Sequence, residues 1–194
     1  MRISIDNVTK HCANLISTSR CNQLPFHNLK HTLDVYNNII TIGDYEHLPE
    51  SDIDELCIAA LFHDTGNAFR FKGHEEVSAL YAKNYLEKQQ LESFKIDRIC
   101  SYILATTTPQ TPKNSNECVI CDADLFHLGT PQFLSRNKLL RIEWKNYLDI
   151  NYSDEIWIKM NIDFLSQHHF FTSYGKEILE PIKTENINIL KSYL

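Results

Sequence analysis

Apolar side chains recur every three or four positions along most of this chain, which is the spacing of one face of an α-helix. A first stripe runs over residues 27–42 and is followed by Gly43, where we expect a C-cap. A second helix is expected to begin at Ser51, in an S-x-x-D capping box, and residues 53–62 are apolar nearly all round. This pattern predicts one amphipathic helix followed by one that is buried on every side.

The same periodicity continues to the end of the chain. It predicts further helices over residues 74–88, 96–105, 117–128, 135–148, 153–167 and 181–193. The segment TTTPQTP at 106–112 interrupts the pattern, since proline cannot continue a helix, and we interpret it as a connector or a substrate loop. The β-branched runs are too short for a sheet, and no repeat or linker is present. We therefore expect one all-α domain of seven or so helices over residues 1–194.

Composition excludes several classes of protein. A net charge of −6 argues against a groove-bound nucleic acid, because binding a phosphate backbone requires clustered cations. Neither a signal sequence nor an apolar run long enough to span a membrane is visible, so we expect a cytoplasmic protein. The six cysteines are then expected to be reduced, and the Cys118 and Cys121 pair lies inside an apolar string typical of a core.

Nine histidines are the unusual feature of the composition, and some of them fall on apolar segments. His27 and His31 lie on the first stripe, the buried helix ends in His63-Asp64, and another apolar segment ends in two further aspartates, Asp122 and Asp124. Taken one at a time, such residues are usually core histidines or helix caps. Converging from three segments, imidazoles and carboxylates would suit a divalent metal such as Mn, Fe or Co.

Four short motifs resemble those of the HD-domain metal-dependent phosphohydrolases, in the family's order. They are FHNLKHTLDV at 26–35, AALFHDTG at 59–66, HEEVSA at 74–79 and CDADLFHLG at 121–129. The resemblance implies a compact HD-type helical bundle with its core over residues 24–130, extended by C-terminal helices over residues 131–194. It also implies a divalent ion, which the sequence leaves open among Mn, Fe, Co, Mg, Ni and Zn.

By position, the resemblance assigns four metal ligands, and these are His31, His63, Asp64 and Asp124. His27 falls where the phosphodiesterases of this family place the acid that protonates the leaving group. The chain departs from that group in two ways, since Phe26 replaces a tyrosine and the core string HDTGN lacks a further histidine for a second metal.

Other residues near these motifs are candidates for secondary roles. Asp122 is expected to cap a backbone or to orient a ligand histidine from behind rather than to bind metal. Contacts to substrate are expected from Arg20, Asn67, Arg70, Lys72 and His74, with solvated surface charge as the alternative for Lys72. His168 and His169 lie outside the motifs and are interpreted as an ordinary helix end.

The function implied is hydrolysis of a nucleotide-like phosphomonoester or cyclic phosphodiester by metal-activated water, with Asp64 and His27 as the catalytic pair. The expected partner is a small phosphorylated substrate, and a homodimer is compatible with this. Two alternatives stay open: an HD-fold di-iron oxygenase, with His74 as an extra ligand, and a catalytically silent nucleotide-sensing module.

Overall fold

The computed structural model describes residues 3–194, and within that range the chain forms nine α-helices and no strand. The prediction of an all-α fold is confirmed. The helices are α1 (Ile5–Ser17), α2 (Leu29–Tyr45), α3 (Glu50–Phe62), α4 (His74–Lys88), α5 (Ser93–Ala105), α6 (Ser115–Asp124), α7 (Phe133–Tyr147), α8 (Asp154–Gln167) and α9 (Glu180–Lys191). Short 3-10 turns lie at Arg20–Gln23, Thr65–Ala68 and Phe126–Gly129, and a π-helical turn at Gly175–Leu179 leads directly into α9.

The first helix, α1, was not predicted, although it carries a regular apolar stripe. Val8, Cys12 and Ile16 follow one another at four-residue spacing and are all buried. Ser4 caps the helix, because its side chain accepts a hydrogen bond from the backbone N–H of Asn7. Short helices with modest apolar content are easily overlooked when the neighbouring segments have stronger patterns.

Two predicted helix caps are wrong, and the helix predicted over residues 117–128 ends at Asp124. Gly43 does not end its helix, since α2 continues to Tyr45. Its lack of a side chain serves packing instead: a Cβ at Gly43 would lie 2.9 Å from the Cγ1 of Ile53 on α3. Ser51 does not begin the next helix either, because α3 starts at Glu50 after Pro49 and its N-cap makes no side-chain hydrogen bond.

Helix α3 forms the centre of the main core. All eight residues from 55 to 62 are buried, and α1, α2, α4, α5 and α6 all pack against this helix. The N-terminal part of α2 and the C-terminus of α3 lie together, because the rings of His31 and His63 have centroids 5.3 Å apart. All six cysteines are free, and Cys121 is buried in the core while Cys118 is half-buried.

The C-terminal helices form a second apolar cluster that includes Phe133, Leu165 and Leu190. Tyr174 joins this cluster to the α1–α6 bundle: its side chain packs against both apolar clusters, and its N–H donates to the Oε1 of Glu46, which follows α2, at 2.7 Å. Residues 131–194, which we call the C-terminal layer, therefore contact the α1–α6 bundle. Within residues 3–194, no helix is long and apolar enough to cross a membrane.

Candidate metal centre and adjoining cavity

Three potential metal ligands converge where three helices meet. His31 lies in the first turn of α2, His63 directly follows α3, and Asp124 is the last residue of α6. One donor atom from each lies within 4.8 Å of the others. Both histidines are buried, and the Asp124 side chain is 17% exposed. The structure therefore brings together an N/N/O set from segments that are distant in the sequence.

Asp64 borders the same cluster. Its Oδ2 lies 3.4 Å from the Nε2 of His31 and 3.3 Å from the Nε2 of His63. Its Oδ1 lies 3.0 Å from the Nε2 of His74 and accepts a hydrogen bond from Asn67 at 3.3 Å. Burial would raise the pKa of Asp64, but the neighbouring imidazoles of His63 and His27 outweigh it and hold that pKa well below its ordinary value. Asp64 is thus a carboxylate, able to bind a cation.

The orientation of His63 leaves one ring nitrogen available. Its Nδ1 donates to the carbonyl of Ala60 at 2.7 Å, so Nε2 is the nitrogen that would bind a cation in place of a proton. In the part of the chain that the structure describes, the His63 Nε2 and the Asp64 Oδ2 are buried without a hydrogen-bond partner. Buried polar atoms of this kind are costly unless something satisfies them. A divalent cation bound by both would do so, and the donor set of imidazole and carboxylate fits one.

Gly66 explains why the turn after Asp64 has its shape. Its N–H donates to the Oγ of Ser78 on α4 at 2.8 Å, and a Cβ there would lie 2.0 Å from the carbonyl oxygen of His74. Only glycine permits this approach of the two backbones. The contact places His74, the first residue of α4, beside Asp64.

His27 is held by a residue that the sequence did not single out. Glu143, on α7 in the C-terminal layer, is 1% exposed and bonds through Oε1 to the Nδ1 of His27. Its other oxygen accepts the backbone N–H groups of Phe26 and His27 at 2.8 and 3.0 Å. Burial would lower the pKa of His27, but the carboxylates of Asp64 and Glu143 outweigh it and raise that pKa. With Nδ1 engaged, Nε2 is the nitrogen left to exchange a proton with a ligand.

The two arginines expected to bind substrate make contacts with other groups of the protein instead. Arg20 donates to the carbonyl of Asn67 and stacks over the ring of Phe71 at 4.1 Å, and Arg70 pairs with Glu76 at 2.6 Å. Lys72 is exposed.

An arginine that does touch the ligand set is Arg136 on α7, which was not predicted. Its Nη2 lies 3.2 Å from the Nδ1 of His31, and its guanidinium stacks over Phe26 at 4.6 Å. No motif surrounds Arg136, so only its position in the folded chain shows the contact.

Asp122 caps the backbone at Phe171 and Thr172, and capping a backbone is one of the two roles expected for it. Its carboxylate accepts the backbone N–H of Phe171 at 3.0 Å, and the N–H and hydroxyl of Thr172 at 2.9 and 2.7 Å. Among residues 3–194 these are its hydrogen bonds, and none goes to a ligand histidine. The 106–112 connector does reach the site, because Gln110 donates to the Oδ2 of Asp124 at 3.3 Å.

A cavity of about 400 Å³ adjoins the ligand cluster. His27, Asp64, His74 and Asp124 line one part of it, together with Thr106 and Thr108 of the connector. Helices α7 and α8 line another part. The side chains they contribute include Leu140, Trp144, Trp157, Met160 and Phe164, with Asn137 and Asn161. We call this cavity the chamber.

Comparison with known proteins agrees with this arrangement. The family model of the HD domain matches residues 28–129, which contain all four proposed ligands. No curated protein matches the chain in sequence. Among solved structures, Bacillus subtilis YpgQ in complex with ADP is similar in fold, with a TM-score of 0.67, 15% identity and coverage of 98% of both chains.

Two further structures are similar over most of the chain. A predicted HD superfamily hydrolase from an uncultured Thermotogales bacterium gives a TM-score of 0.62 at 16% identity, covering 97% of this chain and 88% of that one. The Lin1889 protein from Listeria innocua gives a TM-score of 0.61 at 17% identity, with coverage of 97% and 96%. At such identities the likeness shows the fold, including the C-terminal layer.

Proposed function

The chain belongs to the HD domain family, and we propose that it is a metal-dependent phosphohydrolase acting on a nucleotide-like phosphomonoester or cyclic phosphodiester. HD domains are typically metal-dependent hydrolases. The observation that carries the proposal is the convergence of His31, His63 and Asp124, with the unsatisfied Nε2 of His63 and Oδ2 of Asp64 facing the same space.

The residues that would hold the ion are His31, His63, Asp64 and Asp124. A divalent ion bound there supplies Lewis acidity, which activates water and offsets the charge of a phosphoryl group. His74 and Asn67 orient Asp64 through its second oxygen. The ADP complex of Bacillus subtilis YpgQ supports a nucleotide-like ligand.

His27 is proposed to complete the reaction as a general acid. The oxygen of water bonds to phosphorus and gives up one proton to solvent, the ester P–O bond breaks, and the leaving oxygen takes the proton of the His27 Nε2, which solvent then restores. Glu143 keeps the ring in the required orientation from the opposite side. The cytoplasmic location and the homodimer stay predictions from the sequence.

The test is to strip the protein of metal, reload it with Mn, Mg, Co, Fe, Ni or Zn, and measure phosphate release and bound metal. We expect turnover with at least one metal, and its loss in Asp64→Asn and Asp124→Asn. His63→Ala is expected to lose both metal and the rise in melting temperature that metal confers, since a ligand bound only by the folded state stabilises it. The control is His169→Ala, at an exposed histidine.

The result against the proposal is no phosphate release with any metal, together with equal metal content in the wild type and in His63→Ala. The oxygenase alternative needs a second iron ion, and His74, 3.0 Å from Asp64, is the extra imidazole beside the cluster. Two iron ions per chain and dioxygen uptake would favour the oxygenase. Nucleotide binding without turnover would favour the sensing module.

A further inference from the structure

We propose that the chamber binds the leaving group of the substrate, and that this group carries an uncharged flat ring system, as in a nucleoside monophosphate. The inference rests on the proposed function and extends it, because it assigns a role to residues 131–194. It selects a nucleoside monophosphate over nucleoside di- and triphosphates.

The chamber is continuous from the proposed acid to the aromatic side chains of α7 and α8. His27 lines the same cavity as Trp144 and Phe164. The leaving oxygen of an ester has to lie within hydrogen-bond reach of the acid that protonates it. The organic group attached to that oxygen therefore extends into the chamber, between α7 and α8. Glu143 and Trp144 are neighbours on α7, so one helix both orients the acid and lines the pocket.

The wall of the chamber formed by α7 and α8 is mainly aromatic and apolar. The α7 and α8 part of the chamber presents two tryptophans, Phe164, Met160 and Leu140. Trp144 and Trp157 pack edge to face with centroids 5.4 Å apart, which fixes their rings. Stacking of a base on an aromatic side chain contributes about 1–3 kcal/mol per base. A volume of about 400 Å³ is within the usual range of small-ligand sites.

The charges on the chamber wall limit how many phosphates a ligand can place there. Among the described residues that line the chamber there is no lysine or arginine, and Asp64, Glu75 and Asp124 lie on its wall. Additional phosphates directed into the part of the chamber lined by α7 and α8 would meet no counter-charge there.

Asn137 and Asn161 provide the polar groups of the α7 and α8 part. The amide of Asn137 donates to the carbonyl oxygen of the Asn161 side chain, and Asn161 donates to the backbone carbonyl of Trp157. Each amide nitrogen carries a second hydrogen, which suits the carbonyl and ring nitrogens of a base.

The experiment compares adenosine 5′-monophosphate with ribose 5-phosphate in the metal-loaded protein. Both leave as a primary alkoxide, so the chemical step is matched and only the base differs. We expect kcat/KM for the nucleotide to exceed that for the sugar phosphate at least tenfold. Phe164→Ala should reduce this ratio several-fold, and Phe94→Ala should not. Phe164 is 38% exposed and Phe94 is 56% exposed on α5, outside the chamber, so neither truncation is expected to unfold the chain.

A binding measurement separates this inference from the proposed function. Trp144 and Trp157 are the two tryptophans of the chain, and both line the chamber, so tryptophan fluorescence reports on it directly. Adenosine, which carries no phosphate, should change the emission of the metal-loaded wild type and of Phe94→Ala. Phe164→Ala should require several-fold more adenosine for the same change.

The outcomes are distinct. Fluorescence changes with adenosine but without any phosphate release would leave the chamber assignment standing and remove the hydrolase proposal. Equal hydrolysis of both substrates with no response to adenosine would overturn the chamber assignment and keep the hydrolase. Faster turnover of adenosine 5′-triphosphate than of the monophosphate would overturn the choice of a nucleoside monophosphate.

Discussion

Glu143 and His27 are 116 positions apart in the sequence, and their side chains are hydrogen-bonded in the structure. The buried carboxylate also accepts the backbone N–H groups of Phe26 and His27, so it fixes both the ring and the chain that carries it. Burial would raise the pKa of Glu143, but its bond to His27 outweighs this and lowers that pKa. The charged dyad holds the imidazole in one orientation.

Glu143→Gln should therefore impair proton delivery while leaving metal binding intact. Loss of an orienting carboxylate of this kind typically costs about 10- to 100-fold in activity. We expect the loss in kcat/KM to be large for esters with a poor leaving group and small for aryl phosphates, whose leaving oxygen needs no proton. Steady-state kinetics over a series of leaving groups, with metal analysis alongside, measures this.

The control for this variant is Asn146→Ala, at an exposed position near the end of the same helix. It should leave the whole series unchanged. If Glu143→Gln instead reduced turnover of every ester by the same factor, Glu143 would have a structural role only.

Gly66→Ala should destabilise the protein by about 3 kcal/mol, because the new methyl group would overlap the backbone of α4 at His74. Ser78→Ala removes the hydrogen bond between the same two segments without adding bulk, and should cost only about 1 kcal/mol. Denaturant unfolding of the two variants compares the effects. Similar losses in both would show that the close approach is not what requires glycine here.

Asp122→Ala should cost about 2–3 kcal/mol, because it leaves the N–H groups of Phe171 and Thr172 without their acceptor. Hydrogen exchange at these two amides should accelerate, while the metal content stays at the wild-type level. Thr172→Val removes only the hydroxyl contact and should have a smaller effect. A loss of metal in Asp122→Ala would assign this residue to the support of the ligands instead.

His168 should make stability depend on acidity. Burial, helped by the nearby charge of Lys183, lowers its pKa to about 4. Between pH 6.5 and 4 the unfolded chain binds a proton at this residue that the folded chain does not bind. The free energy of unfolding should therefore fall as the pH is lowered through that window.

Comparison of the wild type with His168→Gln isolates this contribution. The variant should show a flatter dependence of unfolding free energy on pH between 6.5 and 4. Parallel profiles for the two proteins would mean that His168 is protonated in the fold, as a histidine that complements a helix dipole would be.

Much of the candidate metal centre was predictable because its residues can be recognised from the sequence immediately around them. His63 and Asp64 end a helix too apolar to lie in water, and Asp124 ends another. Helix periodicity already directs such side chains inward, and the structure brings the donor atoms together.

The partners of charged residues were much less predictable. Arg20 and Arg70 lie close to the motifs in the sequence, but a flexible side chain turns to the nearest acceptor, and these are a carbonyl and Glu76. Glu143 and Arg136 lie on a helix of alternating apolar and charged residues, where most charges are solvated. Only the packing of α7 on the bundle shows that Glu143 and Arg136 are the charged residues that face the site.

The order of these groups along the chain has a consequence for how selectivity could change during evolution. The proposed metal ligands all lie within residues 28–129, whereas the part of the chamber from Leu140 to Phe164 is encoded afterwards. Substitutions among the chamber residues of the later segment, with Arg136 and Glu143 kept, would alter which alcohol is accepted without changing the metal ligands. A chimera carrying residues 131–194 of a relative is thus expected to inherit the substrate preference of that relative.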